Sequence, residues 1–350
     1  MNSEAAVVTR TEPVPTPGQP DASTSAARTH QLLVVLERYA LVILLAVLIV
    51  FFSVLPSTGG SFLTLANLRN VLANEAVIAI AALAAMIPLV AGQFDVSVGA
   101  VLGLVAIAVA ALTVRAGLPV ALALPLGMVL GAAVGAASGF IVAYLRANSF
   151  IITLGIATAI AGVISLYTKD QVILGIPQSM VNFGTLNWLG VPRPVWLLIV
   201  VALLVAYLLR YTVYGRHLLS IGSNPRAARL VGIRVPLVVL LSFVVAGVLA
   251  AVAGELELAR TGSGDPQIGP GFTLSALAAA FLGSTTIRPG QFNVPGTIVG
   301  VLFVAVSVNG LTLAGAADWV DPLFNGTAVV VAVAISTVLA HRRSGVAPGA

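Results

Sequence analysis

The chain has 350 residues, 59% of them hydrophobic and only 8% charged, with a mean hydropathy of +1.07. A soluble domain carries about 25% charged residues, so a water-soluble globular protein is excluded and lipid is the solvent for most of the chain. The formal charge of +5 does not argue for nucleic acid, because most arginines flank apolar runs, and the lack of cysteine removes disulfides and thiolate metal sites.

Residues 1–30, rich in Pro, Ser, Thr and Ala, lack the apolar core of a signal peptide and read as a disordered cytoplasmic tail. A membrane domain follows over 31–341, and 342–350 read as a second, short cytoplasmic tail. A helix needs about 20 apolar residues to cross the hydrocarbon core. Ten stretches qualify, at roughly 39–55, 75–91, 96–114, 119–145, 149–168, 194–213, 236–259, 273–287, 294–314 and 322–340, of which the second and eighth are short. The expected fold class is therefore an all-α membrane protein of about ten transmembrane helices. With the N-terminus in the cytoplasm, 12 of the 17 basic residues fall on the cytoplasmic side, as the positive-inside rule requires, and both termini are then cytoplasmic.

Two similar stretches interrupt the apolar pattern about two hundred residues apart. "GQFDVSVGAVLG" runs from Gly92 to Gly103 and "GQFNVPGTIVG" from Gly290 to Gly300. Gly92 and Gly290 permit a sharp turn, and Asp95 or Asn293 can cap the helix that follows. The flanking spans run in the same directions, which predicts a duplicated two-helix unit. Irregular backbone survives in a membrane only where protein or a watery cavity satisfies it, so both stretches are candidates to line a pathway through Gln93, Asp95, Ser97 and Asn293. They read equally as cytoplasmic turns with capping residues. Asn148, Ser149 and Thr153 open the fifth span, while Ser307, Asn309 and Asn325 lie in the last two; each is a pathway candidate or a helix-to-helix hydrogen bond.

The fourth span carries Gly127, Gly131, Gly135 and Gly139 at four-residue spacing, a small-residue stripe that lets a neighbouring backbone approach closely. Residues 169–193 read as an external loop. Charge concentrates between Arg210 and Pro236. Within the loop 214–235, Asn224 is a good N-cap, Pro225 suits the first helical position and Gly232 suits the exit, predicting a helix of about two turns. Its small residues Ala227 and Ala228, flanked by Arg226 and Arg229, describe either an interfacial helix meeting anionic lipid or a knob that docks in a partner's groove. Glu255, Glu257 and Arg260 end the seventh span, as a proton-coupling pair or as interfacial charges.

Four of these stretches carry a resemblance. "GSNPRAARLVGI" resembles the Gly-x-Asn-x-x-Ala-Ala-x-x-x-Gly-Ile segment of permease subunits from ribose/xylose/galactose-type ABC importers. "FDVSVGA", "NSFIITLG" and "YGRHLLSIG" are similar to three further segments of that family, in the same order, over about residues 35–340. The resemblance implies a permease of the bacterial cell membrane, working with a second permease copy or paralogue. It would sit on cytoplasmic ATPase subunits and receive solute, a monosaccharide or similar, from an extracytoplasmic binding protein. It further implies that 224–232 is the coupling helix, through Asn224, Arg226, Ala227, Ala228, Arg229 and Gly232. No cofactor is expected in this chain, with ATP and Mg on the partner ATPase, since no G-x-x-x-x-G-K-[ST] motif is present and the only lysine, Lys169, precedes Asp170. The sequence departs from the family where Gly92-Gln93 replaces a Gly-Gly pair, around Gly290 to Val294, and at Thr273 and Ser275 in place of acidic residues. A proton- or sodium-coupled secondary transporter acting alone is the alternative, with Asp95 and Glu255 its only candidate titrating groups; an intramembrane enzyme finds no metal or nucleophile pattern in the spans.

Overall fold

The computed structural model describes residues 22–317 and 319–344. They fall in two compact units, residues 1–37 and 38–350. The described part of the first unit, 22–37, is helical and opens α1 (Ala22–Val54). Helix therefore begins inside the segment expected as a tail, in an Ala/Ser/Thr run with no Pro or Gly to break it; residues 1–21 of that tail, and 345–350 of the second, lie outside the described residues.

The second unit contains the rest of α1 and, in order, α2 (Gly59–Phe62), α3 (Leu65–Val90), α4 (Val98–Ala110) with a π-helical turn at Ala111–Arg115, α5 (Val120–Tyr144) and α6 (Ser149–Thr168). There follow α7 (Gln178–Thr185), a hairpin of β1 (Asn187–Trp188) and β2 (Val191–Pro192), α8 (Arg193–Tyr211), α9 (Val213–Ser223), α10 (Pro225–Leu230), α11 (Val235–Thr261), α12 (Gly269–Ser284), α13 (Val294–Leu313) and α14 (Val320–Ser344). Among the described residues seven helices are long and apolar enough to cross a membrane: α3, α4 with its π turn, α5, α6, α8, α11 and α13. Arg38–Val54 and Pro322–Val331 are shorter apolar stretches, and α12, at 16 residues, is shorter than a full span. The chain is an all-α membrane protein.

Lipid tails give apolar helices no hydrophobic reason to associate, so close backbone packing has to do it. α11 runs along α5, α3 and α4, and the glycine stripe of α5 is the seam. A Cβ on Gly131 would strike Gly247 O, and one on Gly135 would strike Phe243 O. α4 is wedged in the same way between α11, where Gly254 lies on Leu102 O, and α12, where Gly99 lies on Gly269 O. α3 is the central helix, with a wholly buried stretch from Ala79 to Val90.

The loop 169–193 is a folded cap at the end of the bundle reached by the C-termini of α6 and α11. Ile173 and Gly264 form an isolated bridge, Gly184 of α7 sits on Ala259 of α11, and Arg69 Nε donates to Gly190 O at 2.8 Å.

Candidate functional site

Two places in the second unit hold chemistry: the loop between α8 and α11, and a groove between α4, α6 and α12.

The loop folds as its capping residues dictate. Asn224 Oδ1 accepts from the backbone N–H groups of Arg226 and Ala227, both at 3.0 Å, Pro225 occupies the first helical position, and Gly232 takes φ +85° beyond the exit. Before it stands α9, which the sequence reading did not separate out; Thr212 Oγ1 caps it by accepting from Gly215 N at 3.1 Å. The two alanines face opposite ways. Ala228 is only 3% exposed, so it seats α10 on its own chain, while Ala227 faces solvent. The outward apolar surface comes from residues not singled out in the sequence, Leu230 at 89% and Val231 at 77% exposure. Asn224, Arg226, Arg229 and Gly232 are exposed.

The two glycine-marked turns lie at the same end as this loop. Gly92 and Gly290 have nearly equal left-handed φ values, +73° and +76°, which favour glycine. Gly222 of α9 lies directly on Val90 O at the start of the first turn. The phenylalanines of the two "GQF" motifs meet on one side chain: Phe94 stacks on Phe281 at 5.9 Å and Phe292 meets the same ring edge-on at 5.4 Å.

The polar residues of the turns are mostly occupied. Asp95, 4% exposed, accepts from Ser97 N at 2.9 Å and Ser97 Oγ at 2.5 Å, an Asx turn ahead of α4. Burial raises its carboxyl above the ordinary aspartate value, against those two hydrogen bonds. Asn293 is a true N-cap: its Oδ1 accepts from Gly296 N at 2.8 Å and its amide donates to Gln291 O at 2.9 Å. Ser149 Oγ accepts from Phe94 N and Thr153 Oγ1 from Val96 N, each at 3.0 Å, so the start of α6 pins the first turn. Asn148 caps α6 at Ile151 N and, with Gln93, borders one open recess. Asn309 pairs with Asn67, and Asn325 Nδ2 donates to Ser275 Oγ at 3.0 Å. The two carboxylates of α11 do not come together: Glu257 pairs with Arg260 at 3.2 Å, which reaches Asn74 on α3, whereas Glu255 turns to Gly127 on α5. Two residues of helix separate their faces by roughly 200°, which is why the proton-coupling pair does not form.

The groove is about 400 Å³, within reach of a small solute. Its polar lining is Thr158, Ser165, Asp170, Gln267 and Thr273, with Val96 and Ala100 toward the first turn. Ser165 Oγ donates to Asp170 Oδ2 at 2.8 Å. The groove therefore extends along α6 from the turn to the folded cap. Sequence reasoning missed these five as a group, because they come from separate elements and none stands in a motif; Thr273 was noted only as a departure. Among the described residues no group of three or more His, Cys, Asp or Glu could hold a metal ion.

Comparisons with known proteins agree with this layout. The family model described as "Branched-chain amino acid transport system / permease component" matches residues 67–335. The ribose import permease protein RbsC of Escherichia coli K12 is 33% identical over 298 residues, 83% of this chain and 92% of its own length. The Bacillus subtilis RbsC is 34% identical over 291 residues, 83% and 89% of the two chains. The L-arabinose ABC transporter permease protein AraH of Azospirillum brasilense is 28% identical over 323 residues, 92% and 94%. No solved structure matches significantly. With three quarters of its length inside one family model and a bundle of apolar helices around a polar-edged groove, the chain belongs to the permease-component family of these transport systems.

Proposed function

We propose that this chain is the membrane-spanning permease subunit of an ABC importer that moves a monosaccharide across the inner membrane. The family label names branched-chain amino acids, but the relatives that span nearly the whole chain are named for ribose, arabinose and allose, and a hydroxyl-bearing groove suits a sugar. The observation that carries the reading is the groove itself, with the hydroxyls of Thr158 and Ser165 on α6 and Thr273 on α12, and the amide of Gln267 in the loop before α12. Such groups match a sugar's donors and acceptors.

In this reading the bundle makes ten crossings, with both termini cytoplasmic. The shorter apolar stretches of α1, α12 and α14 complete the seven long helices, and α3–α4 and α12–α13 are copies of one hairpin. The end bearing α9 and α10 faces the cytoplasm. Separate ATPase subunits hold ATP and Mg and receive α10 in a cleft, contacting Ala227, Leu230 and Val231 with Arg226 and Arg229 at the rim. A binding protein delivers sugar at the folded cap, and a second copy or paralogue closes the open side of the groove. Gln93, Asp95, Ser97, Asn148, Thr153 and Asn293 then shape the inner end of the path through backbone positioning. Closure of the ATPases pushes α10 and α9 against the Gly92 turn and opens the groove alternately to each side.

Reconstitution with the ATPase and binding protein tests this directly. ATP-dependent uptake of labelled ribose, arabinose or allose supports it; solute movement that proceeds without ATP or the ATPase overturns it.

A further inference from the structure

We infer that the cavity beneath α10 is a binding site for a phosphate-bearing anion. It is about 700 Å³ and lies between the C-terminal end of α5, the Gly92 turn, α9–α10 and the start of α11. Three arginines border it, Arg146, Arg229 and Arg234, and no Asp or Glu does. The chain has no acidic residue between Asp170 and Glu255, so the loop brings no carboxylate of its own, and the nearby Asp95 carboxylate is turned to Ser97. Among the described residues, no hydrogen bond, ion pair or ring contact engages the guanidinium of any of the three. Arg38, Arg69, Arg193 and Arg260 bond carbonyl, amide or carboxylate oxygens, whereas the three cavity arginines are gathered on one recess with no such partner among the described residues. Gln93 adds a neutral donor.

Arg146 is the more telling member. It stands just past α5 with φ +55°, a conformation that favours glycine and disfavours a long side chain, and it places a guanidinium at the cavity edge. Guanidinium groups recognise phosphate through paired, charge-assisted hydrogen bonds. The cavity is several times the volume of one phosphate, so it has room for the group that carries it, either a soluble phosphate ester or the headgroup of an anionic lipid. The binding chemistry does not depend on the transport reading. A ligand here joins α5 and α11 to α10, so its effect on ATPase docking does depend on it.

The test uses the purified full chain. Thermal unfolding is followed against inorganic phosphate, with chloride at matched ionic strength to remove general screening, and in nanodiscs of phosphatidylcholine with or without phosphatidylglycerol. The variants are Arg146→Gly, which relaxes the backbone while removing the guanidinium, Arg146→Gly with Arg234→Gln, and Arg216→Gln as a basic residue outside the cavity. A saturable rise in midpoint of several degrees is expected. Its half-effect concentration should weaken about tenfold or more in the double variant and stay unchanged in Arg216→Gln. A rise with phosphate assigns a soluble ester, and a rise with phosphatidylglycerol alone assigns a lipid headgroup. No response to either, or a response that survives Arg146→Gly with Arg234→Gln, overturns the site. If the double variant does not fold, Arg146→Gly alone is measured, and a response undiminished in it has the same meaning.

Discussion

Asn67 on α3 and Asn309 on α13 close a reciprocal amide pair across 242 residues of chain. Asn67 Nδ2 donates to Asn309 Oδ1 at 2.9 Å and Asn309 Nδ2 donates back to Asn67 Oδ1 at 3.1 Å. The Asn67 amide also donates to Phe62 O at 2.9 Å, so the pair ties the short helix α2 to two long ones. Interhelical hydrogen bonds of this kind contribute about 0.6 to 1.7 kcal/mol.

Replacing either partner leaves the other unsatisfied, so Asn309→Leu and Asn67→Leu should each lower stability by about 1–2 kcal/mol. The double variant should cost less than the sum of the two. Denaturation of the four proteins in a mutant cycle checks this, and strict additivity would remove the pair from the account.

Gly135→Leu should prevent folding of the bundle, because its first side-chain atom lands on Phe243 O; the expected loss exceeds about 3 kcal/mol. Gly155 and Gly162 on α6 have open space where a Cβ would go. Their alanine variants should be neutral, or more stable by up to ~1 kcal/mol through helix propensity. Yield and melting of the three in detergent make the comparison.

Ala227→Glu with Leu230→Glu should abolish co-purification of the ATPase without loss of folded permease. Ala228→Glu should lose the folded protein itself, since Ala228 is buried against its own chain. Co-elution together with the permease's own gel-filtration profile separates these effects. Retained ATPase with the double glutamate variant would remove α10 from the docking surface.

Thr158→Trp should fill the groove between α6 and α12 and cut sugar uptake by about tenfold or more, in line with a blocked path of small volume. Thr158 is exposed and its hydroxyl bonds only Leu154 O within its own helix, so folding should survive. Uptake by vesicles containing equal amounts of each protein is the measurement.

Burial raises the Asp95 carboxyl above its ordinary value near 3.8. The native state then holds the proton more tightly than the unfolded chain does. Stability is therefore fully present at low pH and falls as pH rises from about 4 through the folded-state value. Asp95→Asn, which keeps an acceptor for Ser97, should flatten that slope. Chemical unfolding of both proteins between pH 4 and 8 reads it out.

The seven long apolar helices were legible because lipid demands long apolar runs, and α10 was legible because capping is local chemistry: Asn224, Pro225 and Gly232 each do what their side chains dictate wherever they occur. α9 was not, because an 11-residue helix carrying Arg216 and His217 is too short and too polar to stand out among the spans. The inward turn of Ala228 and the outward turn of Leu230 were hidden for another reason. A six-residue helix has too few turns for a face to show in its sequence, and only the seat it takes decides which side is covered. The groove was hidden most deeply. Its polar groups lie on α6, on α12 and in the loops between, and only folding brings Asp170 and Gln267 to one rim.

Gly222 rests on the carbonyl of Val90 with no side chain between them. Where helices meet through long side chains, those side chains act as compliant spacers, absorbing small displacements by rotamer changes or slight tilts. Bare backbone on bare backbone has no such slack, because steric repulsion rises within tenths of an ångström. A sub-ångström push on α9 therefore arrives at the 91–97 turn almost undiminished. The chain conveys force between these segments as a stiff strut does, where α9 meets the end of its central helix.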